Sequence, residues 1–118
     1  EMQEIIIAGD TRALEQVFIN IISNAIETLK NEGGVISIKT TINRMKPEMA
    51  VITISDTGHG IPEDLRPHLF EPFVSSKPKG TGLGLAITKR IIEAHNGNIH
   101  VDTFTTGTIF TITFPLLN

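Results

Sequence analysis

Three clusters in this chain combine residue types and spacings that suit chemistry. The first is a pair of asparagines four residues apart, Asn20 and Asn24, with Gln16 and Glu27 beside them. At about 100° per helical residue the two amides lie roughly 40° apart, at one border of an apolar stripe. Asparagine is a poor helix former because its side chain competes for backbone hydrogen bonds, so two of them in mid-helix call for a reason. Two readings stand open on spacing alone. The pair is either two solvated polar positions or two amide oxygens offered to a hard cation or to phosphate-bound water.

The second cluster is VITISDTGHGIP. In strand alternation Ile52, Ile54 and Asp56 share a face, so the Asp56 carboxylate points the way the apolar side chains do. A buried acid without partners is costly, and Asp56 is therefore expected to have donors waiting, from protein or ligand. The exocyclic amine of a nucleobase would serve. Gly58 and Gly60 would let backbone approach a flat ligand closely. The plainer reading is an Asx-type turn, for which Asp-Thr-Gly is ordinary chemistry. The third cluster is KGTGLGLAI, with glycines at 80, 82 and 84 leading straight into a helix. Free N–H groups and the positive end of the helix dipole converge at such a place, which suits phosphate. It is neither a Walker A loop, since no Gly-Lys-Ser/Thr closes it, nor a dinucleotide fingerprint, since Leu85 stands where a glycine is needed. A simple helix start after a flexible loop is the alternative.

These clusters need elements to hold them. Residues 2–8, MQEIIIA, are β-rich and end at Gly9-Asp10, a turn and cap signal. From Leu14 to Leu29 the apolar residues recur at helical spacing, and Gly33-Gly34 follows as a stop. Two β-rich runs, 35–43 and 50–56, flank the breaker stretch NRMKPEM and predict a hairpin. Pro62 suits the start of a short helix over 63–68. The thirteen residues FEPFVSSKPKGTG then read as a loop of the kind that serves as a lid or binding loop. A second amphipathic helix, 83–95, with Leu83, Ile87, Ile91 and Ala94 on its apolar face, stops at Asn96-Gly97, and strands 98–104 and 108–114 complete the pattern. The expectation is a single α+β domain spanning residues 1–118, a two-layer sandwich with a mixed five-stranded sheet and three helices on one face.

Composition bounds the function. The chain is 40% hydrophobic and 19% charged, enough apolar surface for a core. It has no cysteine, which removes disulfides, thiolate metal sites and cysteine nucleophiles. A net charge of -3 argues against a general nucleic-acid binder, which needs a basic face. Lys77, Lys79, Lys89 and Arg90 nevertheless form a locally positive segment suited to a small anion. No apolar run is long enough to span a membrane, so no direct membrane contact is expected. The first residue is Glu1 rather than Met, and the chain is expected to be a piece of a longer polypeptide, cytoplasmic even where its parent is membrane-anchored.

Taken in order, the clusters resemble the ATP-binding domain of sensor histidine kinases. LEQVFINIISNAIETL is similar to the family's N box, DTGHGIP to its first glycine box, LFEPFVSSK to its F box and GTGLGLAI to its second glycine box. The wording is most similar to kinases of the nitrogen-regulation and sporulation type. The resemblance implies the fold shared with gyrase, Hsp90 chaperones and mismatch-repair ATPases, and ATP with Mg²⁺ as ligands. It implies that Asp56 receives the adenine amine, that Gly58, Gly60 and Ile61 shape the base pocket, and that Asn24 coordinates Mg²⁺ with Asn20 nearby. Gly80, Thr81, Gly82, Leu83, Gly84 and Leu85 would wrap the phosphates, Phe70 and Phe73 would anchor the lid, and Lys77 or Lys79 would supply a cation. Glu27 departs from the pattern, since many relatives carry Lys or Arg there.

Hydrolytic relatives carry a catalytic Glu at the position matching Asn20. Water needs such a base, whereas a neutral imidazole has its lone pair free, so Asn20 favours transfer to histidine. The resemblance implies a γ-phosphoryl transfer to a histidine on a separate dimerisation domain, with a response regulator receiver domain downstream. No histidine of this chain lies in the acceptor motif. Alternatives on the same fold are an anti-sigma-factor-type serine kinase and a relative that only binds nucleotide. The Asp-Thr-Gly of a homodimeric aspartic protease is contradicted by two long amphipathic helices.

Overall fold

The computed structural model describes residues 5–30, 33–71 and 84–117. Asp10 opens the first helix, α1 (Thr11–Leu29): its Oδ1 accepts from the N–H groups of Arg12 at 3.0 Å and Ala13 at 3.2 Å. Those two donors would otherwise have no partner in the first helical turn. The helix buries Val17, Ile21, Ala25 and Leu29 of the stripe its periodicity predicts, Ile26 of that stripe stays 56% exposed, and Gly33 N–H caps the Leu29 carbonyl at 2.8 Å. Strands β1 (Ile36–Asn43) and β2 (Met49–Asp56) form the predicted hairpin. Helix α2 (Gly84–Ala94) precedes β3 (Asn98–Phe104) and β4 (Gly107–Pro115). Asn96, with φ at 60°, ends α2, and Gly97 N–H reaches back to the Ile92 carbonyl at 2.9 Å.

The sheet order is β1-β2-β4-β3, with every pairing antiparallel. Strand β2 alternates buried and half-buried residues along its whole length. The register sets Ile52, Ile112 and Ile99 in one cross-strand row, with Ile54 beside Phe110 and Ala50 beside Phe114. Those side chains, with Val17 and Ile21 of α1 and Ile92 of α2, make the core between the sheet and the two helices.

Three expectations change. The sheet is four-stranded and antiparallel among the described residues, not five-stranded and mixed. Residues 5–8 of the expected first strand lie outside any ladder, and residues 2–4 fall outside the described residues. Ile5 and Ile7 instead line a groove of about 300 Å³ with Phe18, Thr40, Ala50 and Ile52, while the Ile6 side chain is exposed and its carbonyl accepts from Leu117 N–H at 2.9 Å. Of three expected helices, two are α-helices among the described residues. Over 63–68 the chain makes a turn and a 3₁₀ segment, Arg66–His68, with i to i+3 bonds from Leu65 to Pro62 and from His68 to Leu65. Pro67 has no N–H to carry an α-helical ladder onward. Finally, α2 buries Ala86, Thr88 and Ile92, while Ile87 stays 43% exposed and Ala94 is exposed. The buried face is therefore rotated from the expected one and includes a polar residue, while Ile91 of the expected face does pack against the core and Leu83 lies outside the described residues.

Candidate functional site

Asn20, Asn24 and Thr28 follow one another at four-residue spacing. They form a slowly drifting line along α1, spanning about 12 Å from first to last. At one end the Asn20 Nδ2 donates to the Gly84 carbonyl at 3.1 Å and to Thr88 Oγ1 at 3.0 Å. A carbonyl only accepts, so the amide nitrogen must face Gly84 and the oxygen must face the other way. That oxygen accepts from Gln16 Nε2 at 2.6 Å. At the other end a Cβ on Gly58 would run into the Thr28 methyl group, so glycine here permits the loop after β2 to lie against α1. The Thr28 hydroxyl donates to the Asn24 carbonyl at 3.0 Å. Asn24, half-buried, stands one turn from each end.

Asp56 closes β2 at 8% exposure. Its Oδ1 accepts from Gly58 N–H at 2.9 Å, so the Asx turn read from Asp-Thr-Gly is present and the acid is buried as well. Its strand neighbours in register are Ile36 and Thr108. The Thr108 and Thr103 hydroxyls are 3.1 Å apart, and Thr103 Oγ1 accepts from Ile61 N–H at 2.8 Å. This chain of hydroxyls ties the loop holding Gly60 and Ile61 to β3 and β4. Gly60 sits at φ +81°, where a Cβ would meet the Phe104 carbonyl oxygen. Backbone at that point runs too close to β3 for any side chain.

Of the residues singled out from sequence, the fold brings Asp56, Gly58, Gly60 and Ile61 to one end of the α1 line and Gly84 to the other. Leu85 packs against the core, as does Phe70. Lys89 Nζ stands 5.4 Å from the Phe70 ring centroid, within cation–π range. Phe73, Lys77, Lys79, Gly80, Thr81, Gly82 and Leu83 lie outside the described residues. Four threonines escaped the sequence reading: Thr28, Thr88, Thr103 and Thr108. Thr28 alone carried a signal, as the next step of the line through Asn20 and Asn24. The others depend on partners 68, 42 and 5 residues away in the chain.

A family model described as histidine kinase-, DNA gyrase B-, and HSP90-like ATPase matches residues 9–118. The chain is 47% identical over 117 residues to sporulation kinase A of Bacillus subtilis (strain 168), covering 98% of this chain and 18% of that protein. It is 40% identical to the sensory histidine kinase/phosphatase NtrB of Vibrio alginolyticus, over 92% of this chain and 33% of that protein. The chain thus spans a third or less of both relatives. Among solved structures, the mycobacterial sensor histidine kinase MprB superposes with a TM-score of 0.80 at 31% identity, over 93% of this chain and 76% of that one.

Proposed function

The chain belongs to the family of histidine kinase-, DNA gyrase B-, and HSP90-like ATPases, and from that premise we propose that its 118 residues act as one catalytic unit that binds Mg-ATP and hands the γ-phosphoryl group to a histidine on a dimerisation domain. The observation that carries this reading is the polar line of α1. It touches the glycine-led start of α2 at one end and the Asp56–Gly58 turn at the other.

A nucleotide laid along that line would put its base at Asp56, whose buried carboxylate is an acceptor for the exocyclic amine of adenine. Gly58, Gly60 and Ile61 would leave room for the flat ring, with the Thr103 and Thr108 hydroxyls holding the loop. The phosphates would lie toward Gly84 and the segment Gly80, Thr81, Gly82 and Leu83, where backbone N–H groups and a helix N-terminus favour anions. Lys77 is the candidate cation and Phe73 the lid anchor, both by family resemblance. Asn24 offers a hard amide oxygen between base and phosphates, a donor set that fits Mg²⁺, which is held by few protein ligands together with phosphate oxygens and water. Bound there, Mg²⁺ would neutralise charge on the phosphates. The chain's own part is to bind, align and exclude water. Asn20 leaves the site without a carboxylate base for water, which supports transfer to an imidazole over hydrolysis.

The acceptor domain, a downstream receiver domain and a cytoplasmic setting belong to the same proposal. No helix among the described residues is long and apolar enough to cross a membrane.

Calorimetry with a non-hydrolysable ATP analogue and Mg²⁺ tests the reading. Loss of the acceptor in Asp56→Asn is expected to weaken binding by about 5- to 150-fold, and Asn24→Ala is expected to weaken it only when Mg²⁺ is present. Unchanged affinity in Asp56→Asn, or no binding to the parent chain at millimolar analogue, would refute it.

A further inference from the structure

We propose that Thr88 is a positioning residue for the phosphate end of the site, acting through Asn20; this rests on the nucleotide-binding reading above. Thr88 is wholly buried in α2, at 0% exposure, on the face that packs against α1 and the sheet. Its neighbours on that face, Leu85 and Ile92, are apolar members of the core packing. Valine would fill the same space, so filling the core does not by itself require a hydroxyl. What the hydroxyl adds is an acceptor, at 3.0 Å, for Asn20 Nδ2.

The same nitrogen donates to the Gly84 carbonyl, one helical turn earlier. A single amide of α1 therefore grips the beginning of α2 at two points one turn apart, Gly84 and Thr88, and Gln16 fixes the orientation of that amide from its oxygen side. The first N–H groups of a helix have no partner inside it, so the direction in which this turn points decides where those donors aim. Thr88 acts on that direction without itself facing a ligand. The Asp56 end of the site is held by different bonds, through Thr103 and Thr108.

The two ends should therefore respond separately. Thr88→Val keeps the shape of the side chain and removes the acceptor; Thr88→Ser keeps the acceptor. In the parent chain and both variants, affinity is measured for the ATP analogue with Mg²⁺ and, by chemical-shift titration, for adenosine, which has no phosphate. We expect Thr88→Val to lose about tenfold for the analogue and nothing for adenosine, and Thr88→Ser to recover most of the loss. Gln16→Ala, an exposed change that leaves the core intact, is expected to lose about threefold for the analogue alone, so the inference stays testable even where Thr88→Val folds poorly. A lower melting temperature with equal losses for both ligands, or with no loss for either, would assign Thr88 to packing and overturn the inference while leaving the nucleotide reading intact. A parent chain that takes up neither ligand would overturn both.

Discussion

Gly60 and Gly84 are glycines for different reasons, and alanine separates them. At Gly60 the backbone is left-handed, and a methyl group would strike the Phe104 carbonyl oxygen. Gly60→Ala is expected to destabilise the chain by about 1–3 kcal/mol, read from urea unfolding. At Gly84 the nearest atom to an added Cβ is Asn20 Cγ at 3.9 Å, ordinary contact distance. Gly84→Ala should leave the free chain as stable or up to about 1 kcal/mol more stable, since alanine is the better helix former. The same change is expected to weaken binding of the ATP analogue, because the proposed site sets phosphate against the Gly84 backbone, where a methyl group would hinder close approach. A loss of stability in Gly84→Ala would mean that the glycine serves the fold. The described residues of the candidate site stand out in the sequence where a side chain contradicts its surroundings: Asp56 in an apolar alternation, two asparagines in mid-helix, and Gly84 at the start of a helix. Thr103 and Thr108 contradict nothing in a β-strand, where threonine is at home, and only their pairing across the β3–β4 hairpin reveals them.

At the scale of elements, α1 serves as the rail of the site, and its two ends are fastened differently. Its start is held by the Asp10 cap and by a cross-link: Asp10 N–H donates to His95 Nε2 at 3.0 Å, while His95 Nδ1 stands 2.8 Å from the Ile91 carbonyl. Since Nε2 accepts, Nδ1 carries the proton, and the end of α2 is tied to the beginning of α1. Asp10→Ala is expected to cost about 1 kcal/mol by leaving two amide donors uncapped. Ile21→Ala, at the centre of the core, is expected to cost about 2–5 kcal/mol, the difference showing in urea midpoints at unchanged slope. Similar costs for the two would mean that the cap carries more of the helix than its hydrogen bonds explain. Periodicity and punctuation located α1, β1, β2, β3 and β4 to within about three residues, because each has an apolar face and a stop signal. The segment before Gly9 departs from the predicted strand because Ile5 and Ile7 find apolar contacts without a ladder. The buried face of α2 departs from the predicted one because counting apolar residues omits Thr88, whose hydroxyl is satisfied by Asn20.

For the whole molecule, the proposed transfer turns on which histidine the phosphoryl group could reach. The chain has four, and each has another setting. His95 is engaged through both ring nitrogens, between α1 and α2. His68 is exposed and pairs with Glu71 beyond the 3₁₀ turn, and His100 pairs with Asp102 at 3.2 Å on the outer face of β3. His59 is exposed in the loop that also holds Gly58 and Gly60, within the wall proposed for the base and away from the phosphate end. In-line transfer needs the acceptor nitrogen beside the γ-phosphoryl, and the bonds these rings make are to Asp10, Ile91, Glu71 and Asp102, none of them at the start of α2. The isolated chain is therefore expected to bind Mg-ATP and remain unlabelled when incubated with γ-labelled ATP. Adding a purified dimerisation domain from a sporulation-type kinase should give acid-labile, base-stable label on that domain alone. Label on this chain in the absence of the second domain would show an acceptor within the 118 residues, and His59, which lies in the loop proposed to wall the base, would be the first to replace.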